Sequence, residues 1–440
     1  MARNARDTFL EIVANNRKIG AKGIFSVCSA NENVLEACFL QAKEDNSILL
    51  IESTSNQVDQ YGGYTGMIPT DFADYVYAIA TKSGFPREMI LLGGDHLGPN
   101  KWQELPSSEA MIKSEVLIKE YVKAGFQKIH IDASMFCADD QGDREKPLSD
   151  EVVASRAAIL CRVAEDTWRK YCPDSAPPLY VIGSEVPVPG GAQQEEDVIH
   201  PTKPEDAART IDITRQTFFD EGLADAWERV VAVVVQPGVE FGDDQVFHYN
   251  RDLAKSLSHK IISYDNMVYE AHSTDYQSED NLKKLVEDFF CILKVGPWLT
   301  FAYREALFAL EAIEVEMLGD RSQDLSNLKE TLDKAMRDNP VHWKKYYSGT
   351  EHQQFFKRKY SLSDRSRYYW PDESLNQAKD RLFKNLRKNR IPLSLLSQFM
   401  PTQFHRVLSG TLANDPKEIV LDYIRIITGV YSRACGLSRG

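Results

Sequence analysis

Eight short runs of β-branched and other apolar residues recur along this chain. They are Ile24–Cys28, Ile48–Thr54, Met89–Asp95, Lys128–Ser134, Leu179–Glu185, Val230–Gln236, Met267–Ser273 and Cys291–Pro297. Each is nearly continuously apolar and closes on small or polar residues, as expected of strands covered on both faces in a parallel sheet. Amphipathic helix patterns separate them: Asn33–Lys43, Thr70–Ser83, Ser107–Ala124, Asp150–Tyr171, Pro204–Gly222, a weaker Asp252–Ser263, Ser278–Phe290 and Leu299–Leu318. Several open on Ser, Thr or Asp, whose side chains accept from the orphaned amides of a first helical turn. Eight strands alternating with eight helices predict an α/β fold, the closed (β/α)8 TIM barrel. The competing arrangement, an open doubly wound sheet, usually carries a glycine-rich phosphate turn after its first strand, and SVCSANEN is not one.

The texture changes near residue 320. Gln323–Arg337, Glu373–Arg390 and Pro416–Ser432 read as helices, with no further strand. We therefore expect a barrel with an N-terminal helix over 1–320 and a helical C-terminal extension over 321–440, packing near the barrel mouth. The segment KYYSGTEHQQFFKRKYSLSDRSRYYWP (345–371) is dense in aromatics and cations. It reads either as ordinary packing of the extension, or as a cover for the mouth or a contact surface for another chain.

Composition narrows the partners. With 43% hydrophobic and 27% charged residues, 440 residues can bury a substantial core. A formal charge of −13 argues against general binding to nucleic acid or an anionic membrane. Seven scattered cysteines without a C-x-x-C pair suggest buried thiols in a reducing compartment. The first twenty residues have no apolar signal core, and no run approaches the ~20 residues of a membrane span. A cytoplasmic location is the expectation.

In a TIM barrel, chemistry gathers at the C-terminal ends of the strands. Those ends carry Glu52, Asn56 and Gln57 on the second, Asp95-His96 on the third, Asp132 on the fourth, Glu185 on the fifth, Gln236 on the sixth, His272-Ser273 on the seventh and Lys294 on the eighth. Isolated ionised groups are costly to desolvate, so such a rim should be paired, hydrated or metal-bound. His96, Glu185 and His272 form a candidate N/N/O set for a divalent ion, most readily zinc, with manganese, nickel and cobalt as alternatives; Gln236 offers a weaker oxygen. Asp95 is the first candidate proton carrier, with Asp132 and Glu52 behind it. His130 reads as a buried structural histidine. Loops after the last two strands often hold phosphate, which points to Ser273, Thr274, Lys294 and Gly296, with Asn56 and Gln57 as further substrate contacts. Arg365 and Arg367 could reach the mouth from the extension; Arg365 is the substrate-binding candidate. No G-x-x-x-x-G-K-[ST] loop, kinase signature set or G-x-S-x-G motif is present, so no nucleotide is expected.

The segments SVCSAN, IESTSNQVDQYGGYTGM, GGDHLGPNKW, KIHIDAS, VIGSEVPVPGG, VVQPGVEF, MVYEAHSTDYQ, ILKVGPWLTFA and KYSLSDRSRYYWP together resemble the GatZ/KbaZ family. The resemblance runs from about residue 20 to residue 430. It implies a TIM barrel and the non-catalytic subunit of class II D-tagatose-1,6-bisphosphate aldolase, which steadies a catalytic aldolase subunit in tagatose 6-phosphate, galactitol or N-acetylgalactosamine breakdown. That subunit, a ketose or ketose phosphate, and further copies of the chain are the implied partners. Relatives of this family also include metal-dependent ketose 4-epimerases, which interconvert fructose and tagatose or their 6-phosphates. The barrel is also distantly similar to catalytic class II aldolases, whose Asp-His pair at a strand end Asp95-His96 matches. His272 fits a further ligand there, whereas Gln236 stands where another histidine would be expected. The subunit role is the leading expectation, and stand-alone epimerisation by retro-aldol and aldol steps is the alternative.

Overall fold

The computed structural model describes residues 4–184, 199–319 and 323–438. Eight parallel strands close into a barrel: β1 (Ile24–Val27), β2 (Leu49–Thr54), β3 (Ile90–Leu97), β4 (Lys128–Ile131), β5 (Leu179–Ile182), β6 (Val230–Val235), β7 (Val268–Ala271) and β8 (Phe290–Val295). Each pairs with its neighbour in chain order, and β8 returns to β1 with Ile24 opposite Ile292. The eight-run pattern is thus an eight-stranded TIM barrel, with a helical extension behind it.

Most strands stop before their apolar runs do, because the chain there turns into the mouth. β2 ends with its run at Thr54, and β3 goes further. It continues through Asp95 and His96 to Leu97, and its register against β4 slips between Gly94 and Leu97. Such a bulge bends the strand and re-aims side chains. Here it lets two adjacent residues, Asp95 and His96, both face the mouth, which a regular strand forbids.

The opposite end of the barrel is plugged. The Ala5–Ile19 helix buries Ala5, Phe9, Ile12 and Val13 against inward-facing Ile24, Leu50, Leu91, Val181, Ala232, Val268 and Ile292. These strand residues alternate with those that face the surrounding helices, so the helix caps a column of apolar side chains.

Most of the expected helices form, with ends shifted by a few residues. The largest shift is at Gln323–Arg337, whose helix starts at Leu328 and runs to Asp338. Four further helices, Ala224–Trp227, Glu351–Tyr360, Leu393–Phe399 and Pro401–Leu408, lie outside the expected set; they are short, and their apolar residues are interrupted by polar ones. The Pro416–Ala434 helix leaves the extension and packs on the barrel wall, where Tyr431 donates to the Thr274 carbonyl at 2.8 Å and Ser432 to Asp45 at 2.6 Å.

A small hairpin after β6, Glu240–Phe241 paired with Val246–Phe247, ties the extension over the mouth. Asp243 at its tip accepts from the Ser361 hydroxyl at 2.8 Å, its carbonyl accepts from the Leu362 amide at 2.8 Å, and Lys357 pairs with its carboxylate. Tyr276 donates to the Leu362 carbonyl at 2.6 Å. Among the described residues, no helix is long and apolar enough to cross a membrane.

Candidate metal centre at the barrel mouth

Asp95, His96, His130 and His272 are all buried, and each offers a ligand atom within 4.8 Å of the others'. They come from β3, β4 and the end of β7. The rings of His96 and His272 lie 4.9 Å apart edge to face, and His130 is 5.0 Å from His96 and 5.5 Å from His272.

Hydrogen bonds define which nitrogen each ring presents. His96 Nδ1 lies 2.7 Å from Asp132 Oδ2, so Nδ1 donates and Nε2 carries the lone pair. His272 Nε2 lies 3.0 Å from Glu270 Oε1, which leaves the coordinating lone pair on Nδ1. His130 Nε2 is 2.8 Å from the Gly183 carbonyl and must donate to it. Its Nδ1 is the acceptor for the His96 amide at 3.2 Å, yet it also faces Asp95 Oδ1 at 3.0 Å. Two lone-pair groups at that distance need a proton or a cation between them.

Charge points the same way. Inside the barrel, Lys128 bridges Glu52 and Glu270 at 2.8 Å each, and Lys294 reaches Glu52 at 2.8 Å and Asp95 at 3.0 Å. With Asp132 the carboxylates are four and the ammonium groups two, so 4 − 2 leaves two negative charges beside three imidazoles. A divalent cation balances that sum, and three nitrogens with one oxygen are donors it accepts.

The titration directions follow from burial set against charged neighbours. Burial pulls the His272 imidazolium down to about 4 against the raising pull of Glu270, so the ring is neutral near pH 7. Burial opposes ionisation of Asp95 and Glu270, but Lys294 with His96 holds the first, and Lys128 with Lys294 the second, well below the usual carboxylate range. Burial would lower His96, but Asp95 and Asp132 outweigh it and raise it. Burial likewise works against the Asp132 anion, and the bond from His96 more than offsets it.

Two glycines make the geometry possible. A Cβ on Gly93 would sit 2.6 Å from the Glu52 Cγ, and one on Gly98 only 1.8 Å from the Asp132 carbonyl oxygen. His96 itself has φ +49°, and Ser273, next to His272, has φ +51°. Non-glycine residues held in this region cost of order 1–3 kcal/mol each and cluster at functional sites.

A cavity of about 900 Å³, counting its open mouth, lies over the cluster. Asp95, His96, His272, Ser273, Lys294, Asn56 and Gln57 line it, as the sequence suggests. Gln57 is braced, accepting from the Thr54 amide at 2.9 Å. Other expected residues lie elsewhere. Gln236 spends its side-chain oxygen on the amides of Gly238 and Val239, at 2.8 and 3.0 Å, because the chain turns sharply there. The third imidazole comes instead from His130, which sequence reasoning assigned to structure. Its one signal was the spacing His130-x-Asp132, which places it on the inward face of β4. Asp132 stands behind His96 as its orienting partner and accepts from Ser134 at 2.7 Å, and Glu52 lies deeper among the lysines. Arg365 is 4% exposed and bonds the His342 carbonyl away from this cavity; Arg367, two residues on, lines it. Glu185 lies outside the described residues.

The proposed phosphate donors are engaged too. Thr274 donates to the Lys294 carbonyl at 2.6 Å, Lys294 sits among three carboxylates, and the Gly296 amide donates to Asp275.

Residues 9–436 match the family described as D-tagatose-1,6-bisphosphate aldolase subunit GatZ/KbaZ-like. The chain belongs to the GatZ/KbaZ-like family. It is 44% identical to a solved structure described as a probable tagatose 6 phosphate kinase from Sinorhizobium meliloti 1021, with a TM-score of 0.85 over 94% of this chain and 100% of that one. It is 13% identical to the YdjI aldolase of Escherichia coli K12, with a TM-score of 0.41 over 86% of this chain and 94% of that one. A fructose-bisphosphate aldolase of Campylobacter jejuni is also 13% identical, with a TM-score of 0.43 over 87% and 91%.

The leading expectation, a subunit that only steadies another enzyme, is corrected here. A complete His/Asp ligand cluster lies beneath an open cavity that Asp95, His96 and His272 line, and a 44% identical solved structure carries an enzyme's description. A passive scaffold has no need of three converging imidazoles, one of them, His96, held on strained backbone.

Proposed function

We propose that this protein is a metal-dependent ketose 4-epimerase, acting on fructose and tagatose or their 6-phosphates by retro-aldol cleavage and re-addition. The observation that carries this reading is the convergence of Asp95, His96, His130 and His272 under one cavity. Zinc suits a set of imidazole nitrogens best, with manganese, nickel and cobalt as alternatives, and Asp95 then stands outside the set as the proton carrier. A bound divalent cation supplies Lewis-acid polarisation of the C2 carbonyl and steadies the negative charge that develops as C3–C4 breaks.

The chain's own residues do the rest. Asp95, kept ionised by Lys294 and His96, takes the C4 hydroxyl proton as that bond opens. C4 becomes an aldehyde carbon, and C3 retains the electron pair. Turning the aldehyde within the cavity presents its other face. When C3–C4 re-forms, Asp95 returns the proton to the C4 oxygen, now inverted. Asp132 holds the His96 ring, and Glu270 the His272 ring, so both ligands stay aimed while the substrate turns. The buried lysines fix Glu52 and Glu270 and leave the site no mobile counter-charge.

The description of the Sinorhizobium meliloti relative names a kinase, but this chain carries no G-x-x-x-x-G-K-[ST] loop for a nucleotide. A catalytic class II aldolase subunit is the partner the family description suggests, and an active mouth is compatible with it. The seven cysteines are all free thiols, in keeping with a reducing, cytoplasmic setting.

The test is to supply the zinc-loaded protein alone with tagatose 6-phosphate, fructose 6-phosphate and the free ketoses, and to follow epimer formation by chromatography. We expect epimer from at least one pair, lost by 10³-fold or more in His96→Ala (about 4 kcal/mol of barrier). Absence of epimer with every substrate, in a protein shown to hold its metal, would refute the reading.

A further inference from the structure

Beside the imidazole cluster a second set of ligand atoms converges. Glu52 of β2, Asp95 of β3 and Glu270 of β7 are all buried, and each offers a carboxylate oxygen within 4.8 Å of the others'. Three carboxylates at that spacing, away from water, repel one another unless a cation stands among them. The chain supplies one. Lys294 of β8, 5% exposed, places its Nζ 2.8 Å from Glu52 Oε2, 3.0 Å from Asp95 Oδ1 and 3.7 Å from Glu270 Oε1. The far oxygens are held separately. Glu52 Oε1 accepts from the Ser26 hydroxyl at 2.7 Å and pairs with Lys128 at 2.8 Å, and Glu270 Oε2 pairs with Lys128 at 2.8 Å.

The two lysines have different surroundings. Lys128 is fully buried, whereas Lys294 lies on the cavity wall together with Asp95. The contacts of Asp95 are divided between its oxygens. Oδ1 faces Lys294 and His130 Nδ1, both at 3.0 Å. Among the described residues Oδ2 meets only His96 Nε2 at 3.9 Å and the Cys28 thiol at 4.0 Å. One oxygen is therefore anchored, and the other is left for the proton.

We propose that Glu52, Asp95 and Glu270 form a cation site permanently filled by the Lys294 ammonium, which acts as a positioning residue by anchoring Asp95 Oδ1 so that Oδ2 carries the proton. The tether makes a free monovalent cation unnecessary. Removing the side chain opens a site for an ion of similar charge and size, such as ammonium or potassium. The proposal rests on the epimerase reading only for the step that Asp95 performs.

The test compares the zinc-loaded wild type, Lys294→Ala and Lys294→Met in choline, ammonium and potassium chloride at equal ionic strength. Melting temperature is read by scanning calorimetry, and epimer formation by chromatography. In the wild type both should be the same in all three salts. In Lys294→Ala epimerisation should fall about a hundredfold in choline and recover about tenfold in ammonium or potassium. The same salts should raise its melting temperature by several degrees over choline. Lys294→Met removes the charge but fills the space, so it should lose as much rate and recover none. A wild type that requires ammonium or potassium overturns the proposal, as does a Lys294→Ala protein whose melting temperature is the same, or that stays unfolded, in all three salts. If the wild type forms no epimer, the melting temperatures alone decide the cation site, and only the epimerase reading fails.

Discussion

Single residues decide this site through charge that cannot escape to water. Asp275 shows the cost. Burial pushes its carboxyl up to about 6 from the ordinary 3.8, although the Trp298 and Gly296 amides pull the other way. Between those values the folded chain keeps a proton that the unfolded chain has lost, so stability falls as pH rises from about 4 to about 6. Asp275→Asn keeps an acceptor for the two amides and removes the titration. Urea unfolding at pH 4 and pH 7 should show the variant gaining on the wild type by about 3 kcal/mol across that interval. Parallel profiles would show that the carboxyl does not titrate there. His130 teaches the complementary lesson. A histidine two residues before an aspartate on a strand has no signature of its own, and only the neighbours that Asp95, Gly183 and the His96 amide provide reveal what its nitrogens do.

At the scale of elements, β3 and the N-terminal helix matter most. The run Met89–Asp95 announced a strand, but no residue in it announces the slipped register that turns Asp95 and His96 to the same side. The glycines of GGDHLGP are the trace it leaves: Gly98 is needed because β4 passes where a side chain would be. The Ala5–Ile19 helix closes the other end of the barrel, and Phe9 is its fully buried anchor. Phe9→Ala should cost about 3–5 kcal/mol, the usual range for emptying a buried aromatic site. Equilibrium denaturation reads this directly, and a loss under 1 kcal/mol would mean that the plug is dispensable. The proposed epimerisation at the far end should be unaffected in the folded variant, because the apolar column separates the two ends.

For the whole molecule, the candidate metal site and the fold are one system. Two uncompensated negative charges stand in the barrel, so the metal-free protein carries repulsion that a divalent cation removes. A ligand that binds only the folded state adds about 2.7 kcal/mol at a hundredfold excess over its Kd. Zinc added after chelation should therefore raise the melting temperature of the wild type by several degrees. His130→Ala and His96→Ala should respond far less, which scanning calorimetry would register. An equal rise in His130→Ala would remove that residue from the ligand set. The C-terminal extension belongs to the same unit: Tyr276, Asp243 and Tyr431 tie it to the barrel, and through it Arg367 reaches the cavity.

Hydrophobic periodicity alone determined the barrel, its eight strands and most of its helices, because burial on both faces writes itself into every strand locally. Strand ends named Asp95, His96 and His272 for the same reason: the fold sends them all to one mouth. The third imidazole, the Lys294 ammonium among three carboxylates and the carboxylate lodged on the Gly296 amide were decided by tertiary structure. Each depends on which groups from distant segments come within hydrogen-bonding reach, and that distance is a property of the closed barrel, not of any stretch of chain.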